Sequence, residues 1–171
     1  MMQKKSISSQ KYSLPAFLQD RIDRPIYIRW LQRKAAAHVK RDRKRVSHLI
    51  SIADYKLAIH KAVESSAGID WYTGEYLEWE KISTYNNDES KKGRSEYKAK
   101  LALLPTVDHV RSTDGTYDFV ICSWRTNDSK NDLSLEYYIE LCWKVVSLHG
   151  NMATRLAMID NLDSKQNMAI K

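Results

Sequence analysis

The chain has 171 residues, 43% hydrophobic and 29% charged, which is enough to bury a core, and no stretch approaches the ~18 consecutive apolar residues of a membrane-spanning helix. Its formal charge of +7 is concentrated in one place: residues 24–45 hold nine Lys and Arg against the single acid Asp42, a local +8 that leaves −1 for everything else. That concentration suits a polyanion such as nucleic acid.

The opening run MMQKKSISSQKYS is polar and aperiodic, lacks the apolar core of a signal peptide and is expected to be mobile, in an intracellular, cytoplasmic protein. Pro15 opens a short predicted helix over 16–21. Pro25 suits the first position of a longer one, because its missing N–H would be unpaired there anyway. From Tyr27 onward, Tyr27, Trp30, Leu31, Ala35 and His38 recur at helical spacing and define a packed face. The cations Arg29, Arg33, Lys34, Lys40, Arg41, Arg43, Lys44 and Arg45 fall largely elsewhere and are the candidate phosphate contacts.

Ser51 followed by Asp54 marks a helix start, with Tyr55, Ala58, Ile59, Ala62 and Val63 as its apolar face and Gly68 as its stop. His60, beside that stripe, is expected at the surface or its edge. Residues 69–79 read as a turn or short hairpin around Thr73-Gly74, with Trp71, Tyr72 and Trp79 as core. The polar run 83–100 is expected to be a loop that enters a short helix near Ser95. Cys122 and Cys142 both lie in apolar settings and read as buried, reduced thiols, a disulfide remaining open at this point.

The densest chemistry lies in 104–132. Asp108-His109 ends an apolar run, Asp114-Gly115 makes a turn, Phe119 to Cys122 is a second apolar run, and Thr126 to Asn131 is a polar segment where a helix begins. Imidazole titrates near neutrality and can take a proton from water. Carboxylate and amide oxygens suit a hard divalent cation. Beyond it, Ser134 caps a strongly amphipathic helix through Leu135, Tyr138, Ile139, Cys142, Val145 and Val146 that ends near Gly150 and is expected to support the segment before it. A last helical pattern (Leu156, Ile159, Leu162) precedes a polar tail.

In its Asp108-His109 pair, in Asp118 and in Asn127 with Lys130, this stretch resembles the metal finger of the HNH endonucleases. The resemblance implies an α+β fold, mainly helical, with a small antiparallel β-hairpin in a ββα-metal (His-Me) finger at about 104–132. The nuclease domain would be 51–150, between a basic helical region (1–50) and a C-terminal helix or tail (151–171). It implies a phosphodiester hydrolase with His109 as general base and Asp118, where the family usually has Asn, bracing the loop that aims it. Asp108 and Asn127 would hold Mg²⁺ or Mn²⁺, with Asn131 the alternative, and Lys130 and Arg125 would contact phosphate. Products would carry a 5′-phosphate and a 3′-hydroxyl. The Cys-x-x-Cys staple of many HNH proteins is missing, so no structural zinc is expected. DNA is the expected partner, with RNA an alternative and a homodimer the route to double-strand cleavage. The rival reading is a nucleic-acid-binding protein that uses a degenerate finger as scaffold.

Overall fold

The computed structural model describes residues 11–44, 51–110 and 118–151. Expectations for the N-terminal tail, Arg45, the Asp114-Gly115 turn and the pattern after 151 lie outside these residues. The fold is mixed α+β and mainly helical, with one two-stranded antiparallel sheet. The chain divides into two compact units, Met1–Asn131 and Asp132–Lys171.

In the first unit a single 3-10 turn, Ala16–Leu18, leads to helix α1, Arg24–Asp42. Pro25 sits in its first turn, as its fixed φ favours. The expected apolar face is buried, together with Val39 and Asp42. Helix α2, Ile52–Ser66, begins where Ser51 accepts the Asp54 N–H at 3.0 Å. It ends in Ala67, left-handed at φ 49°, and Gly68 at φ +87°. A Cβ at Gly68 would stand 2.9 Å from the Phe17 ring as well as straining the backbone, so glycine serves both conformation and packing here.

Residues 69–76 form a turn closed by an Ile69–Tyr76 bridge, with Gly74 at φ +74°. Trp79 from this region is fully buried against Trp30 and Phe17, whereas Trp71 is half exposed and not core. Helix α3, Asn87–Lys100, starts earlier than the sequence suggested. Asn86 caps the Asp88 and Glu89 N–H groups, and the acidic first turn complements the helix dipole, which outweighs the cost of Gly93 inside it.

Strands β1, Pro105–His109, and β2, Phe119–Ser123, pair antiparallel with Val107 opposite Ile121 and His109 opposite Phe119. Ser123 ends β2 and caps helix α4, Trp124–Lys130, by accepting the Thr126 N–H at 3.1 Å. The core gathers Tyr27, Trp30, Leu31 and Val39 of α1, Tyr55, Ile59 and Val63 of α2, and Val107, Phe119 and Ile121 of the sheet. His60 belongs to this interior at 4% exposure, accepting or donating a 2.7 Å hydrogen bond with the Tyr27 hydroxyl. Its expected surface place is corrected by an aromatic partner that only the α1–α2 packing supplies.

In the second unit, helix α5, Leu135–His149, starts at Ser134, which accepts the Tyr137 N–H. Cys142 on it is exposed, unlike Cys122 on β2, so only one of the two cysteines is the expected buried thiol. Among the described residues no helix is long and apolar enough to cross a membrane.

Candidate active site

Successive side chains on a strand point to opposite faces, and β1 keeps regular pairing through its last residue. Asp108 and His109 are therefore divided between two environments. The bend that would bring both into one site is not made within the strand.

On one side, both oxygens of Asp108 are engaged. Its Oδ2 accepts from Lys130 Nζ at 3.0 Å and from the Tyr72 hydroxyl at 2.7 Å, and its Oδ1 accepts the His109 backbone N–H at 2.8 Å. Lys130 is only 5% exposed, so this ammonium faces protein and not an approaching phosphate. Burial first, and the neighbouring Asp108 second, push the Tyr72 hydroxyl pKa far up, which keeps it a donor. Below this contact lies a second carboxylate, Asp70. It accepts from the backbone N–H groups of Tyr72 and Ser123 at 2.8 Å each and from the Thr126 hydroxyl at 2.9 Å. Burial pushes its pKa up, but those hydrogen bonds outweigh it and hold Asp70 below the ordinary carboxylate range. Asp70 thus ties the 69–76 turn to the β2–α4 junction.

On the other side, His109 turns toward α1 and α2. Its Nε2 lies 2.8 Å from Asp42 Oδ2, the same oxygen that accepts the Tyr55 hydroxyl at 2.9 Å. The ring rests on Phe119 at 4.5 Å between centroids and meets His38 edge-on at 5.1 Å. With Nε2–H donated to the carboxylate, the Nδ1 lone pair is the ring's open position; that atom is buried and has no hydrogen-bond partner among the described residues. Burial lowers the His109 pKa more than Asp42 raises it, so the imidazole is neutral at neutral pH. His38, one helical turn before Asp42, accepts from Arg41 at 2.6 Å, and burial with the Arg41 charge lowers its pKa to about 2. The reactive atoms of His38, Asp42 and His109 lie within 4.8 Å of one another.

Other expected site residues sit as follows. Asn127 is half-buried on α4, and its backbone carbonyl accepts the Asn131 N–H at 2.9 Å. Asp118 is exposed at the base of the hairpin, its carbonyl holding Val110 N–H at 3.1 Å; the loop it was expected to brace lies outside the described residues. Arg125 is ion-paired with Glu75. Lys34 is half-buried on Thr106, 2.7 Å from its hydroxyl, and burial lowers its pKa to about 8, so it supports the hairpin from α1 and is no surface cation. Arg29, Arg33, Lys40, Arg41, Arg43 and Lys44 are exposed, Arg33 also donating to the Ile82 carbonyl. At 100° per residue, positions 29, 33 and 40 fall within an arc of roughly 40°, whereas His38 and Asp42 lie on the opposite side. The basic stripe faces away from the histidines, and the last turn of α1 is where cations come near them.

His38, Asp42, Tyr55, Asp70 and Tyr72 were not among the sequence candidates. One signal was available: His38 and Asp42 are four residues apart, and Asp42 is the lone acid of the basic run, so a helix places them on one face. No family model, curated protein or solved structure matches this chain.

Proposed function

We propose that this protein is an HNH-type endonuclease that hydrolyses phosphodiester bonds of nucleic acid, DNA being the first substrate to test, with His109 as general base. The observation that carries this reading is the His109 ring itself: Nε2 held by Asp42 at 2.8 Å, Nδ1 without a partner among the described residues. A carboxylate that fixes the tautomer and stabilises the imidazolium is what a general base needs. The order strand, strand, helix, with Asp108-His109 on the first strand and Asn127 and Lys130 on the helix, supports the ββα finger assignment.

In the proposed reaction, which requires side-chain movement that uncovers the buried Nδ1, water gives a proton to Nδ1 as its oxygen attacks phosphorus. The bond from phosphorus to the 3′ oxygen breaks, that oxygen takes a proton from solvent water, the imidazolium returns its own to solvent, and a 5′-phosphate is left. Asp42 offsets the positive charge on the ring. Arg41, Arg43 and Lys44, exposed at the end of α1, neutralise phosphate charge. Tyr55 keeps Asp42 in place.

The resemblance also implies Mg²⁺ or Mn²⁺ on Asp108 and Asn127. With Lys130 Nζ and the Tyr72 hydroxyl already on Oδ2, only Oδ1, which accepts the His109 N–H, keeps a lone pair for a divalent ion, and the Lys130 charge opposes one. That engagement is also the observation that favours the second reading, a binding protein with a degenerate finger.

The test is nicking or linearisation of supercoiled plasmid by wild type and His109→Ala, each with Mg²⁺, Mn²⁺ and EDTA. The nuclease reading expects cleavage by wild type and its loss in the variant, with DNA binding retained. Equal salt-sensitive binding by both proteins with no cleavage of DNA or RNA would replace it with the binding-protein reading.

A further inference from the structure

We propose that His38, Asp42 and His109 form a binding site for a divalent first-row transition ion, Zn²⁺ being the best match, and that the ion silences His109 as a base. The site is distinct from the Asp108–Asn127 pair. Its existence does not depend on the nuclease reading; the silencing does.

The donors are two imidazole nitrogens and one carboxylate oxygen, a set that suits Zn²⁺ and its first-row neighbours and suits Mg²⁺ poorly. They come from two rigid elements: His38 and Asp42 from adjacent turns of α1, His109 from the end of β1. His38 is 3% exposed and Asp42 8%, so the ion would exchange most of its water for protein. The Tyr55 hydroxyl on Asp42 is the outer partner that orients a ligating carboxylate. At metal–ligand distances of about 2 Å, tetrahedral donors stand about 3.3 Å apart. The observed 4.8 Å limit therefore requires the side chains to draw in by up to about 1.5 Å, a movement of the scale that rotation of the His rings provides.

Arg41 stands in the way. One of its guanidinium nitrogens lies 2.6 Å from His38 Nδ1 and 3.3 Å from Nε2, so it satisfies the ring and repels a second cation. Arg41 is exposed at the helix end and has solvent to swing into. Binding of the ion thus displaces one arginine and rearranges no backbone.

Silencing follows from the tautomer. A neutral imidazole has one hydrogen and one lone pair. Whichever nitrogen of His109 holds the ion, the other carries the hydrogen, and no lone pair remains to take a proton from water. The step releases no proton and changes no oxidation state.

Isothermal titration of the intact chain with ZnCl₂, and with MgCl₂ as control, tests the site, with Co²⁺ absorption bands reporting the ligand set. The expected result is one Zn²⁺ per chain, any Mg²⁺ heat unaffected by His38→Gln, Zn²⁺ binding weakened about 100-fold in His38→Gln and in Asp42→Asn, and Zn²⁺ binding tightened about tenfold in the surface variant Arg41→Gln. No Zn²⁺ binding, or binding within threefold of wild type in both ligand variants, overturns the site. Should the ligand variants fail to fold, unchanged affinity in Arg41→Gln overturns it alone. Plasmid cleavage inhibited by Zn²⁺ and restored by EDTA with Mg²⁺ supports the silencing. Zn²⁺ bound at these residues with no cleavage under any condition overturns the silencing and the nuclease reading, and leaves the binding site standing.

Discussion

The two sides of β1 make opposite use of adjacent residues. Around Asp108 every oxygen is engaged, and the partners, Lys130 and Tyr72, are themselves held in protein. Around His109 one ring nitrogen is fixed, and the other, buried, has no hydrogen-bond partner among the described residues. A saturated network stabilises a fold; a neutral imidazole with an oriented ring and an open lone pair is poised for chemistry or for a metal. The same dipeptide supplies a lock to one face and a carboxylate-held imidazole to the other because a strand alternates its side chains.

The largest expected effect breaks the reactive face. His109→Ala should lower cleavage by about 10³-fold while DNA affinity stays within about threefold, read from plasmid nicking and binding isotherms. Breaking the lock should act on stability instead. Lys130→Met leaves the Asp108 carboxylate, 15% exposed, without its cation, and should cost about 3 kcal/mol in urea unfolding. A loss under about 1 kcal/mol would show that Asp108 finds compensation from solvent or Tyr72, and that the face is less closed than its contacts indicate.

Smaller effects sharpen the contrast. Neutralising Arg41, Arg43 and Lys44 should lower the salt slope of DNA affinity by about 2 to 3, since each phosphate contact contributes roughly 0.9, whereas neutralising Arg29, Arg33 and Lys40 should leave it nearly unchanged. The reverse ranking would put nucleic acid on the outward stripe of α1, away from His109. Asp70 gives the smallest effect and a pH signature. Its folded pKa is depressed, so its stabilising contribution is fully present above the unfolded carboxylate pKa of about 3.9 and is lost as pH falls through the lower folded value. The stability gap between wild type and Asp70→Asn should be constant from pH 7 to 5 and shrink below pH 4; a gap unchanged at pH 3 would mean that Asp70 titrates alike in both states.

Much of the frame was legible because it is local. Ser51 and Ser134 cap the helices they were expected to cap, the buried stripe of α1 falls where the 3.6-residue period puts it, and Asp108-His109 ends a strand. The site was only half legible. His109 finds Asp42 across 67 residues of sequence, and periodicity tells which residues share a face without telling which face meets which. His38 was read as part of a packed stripe, which it is, and Asp42 as a stray acid among cations. Lys130 was read as a phosphate contact because its spacing from Asn127 places it one helical turn on; only the packing of α4 against β1 reveals that it spends its charge on Asp108. The first half of helix α3 was missed because its cap, Asn86, is followed by polar residues with no apolar period to confirm it.

The division between the two faces is tested most directly by placing Asp42→Asn beside Asp108→Asn and measuring both plasmid cleavage and unfolding stability for each. The account predicts that Asp42→Asn loses cleavage by at least about 10²-fold with a change in stability of about 1 kcal/mol, and that Asp108→Asn loses stability first, with cleavage falling only as the folded fraction falls. Cleavage abolished in a stably folded Asp108→Asn, with Asp42→Asn still active, would contradict it and return the reactive centre to the other side of the strand.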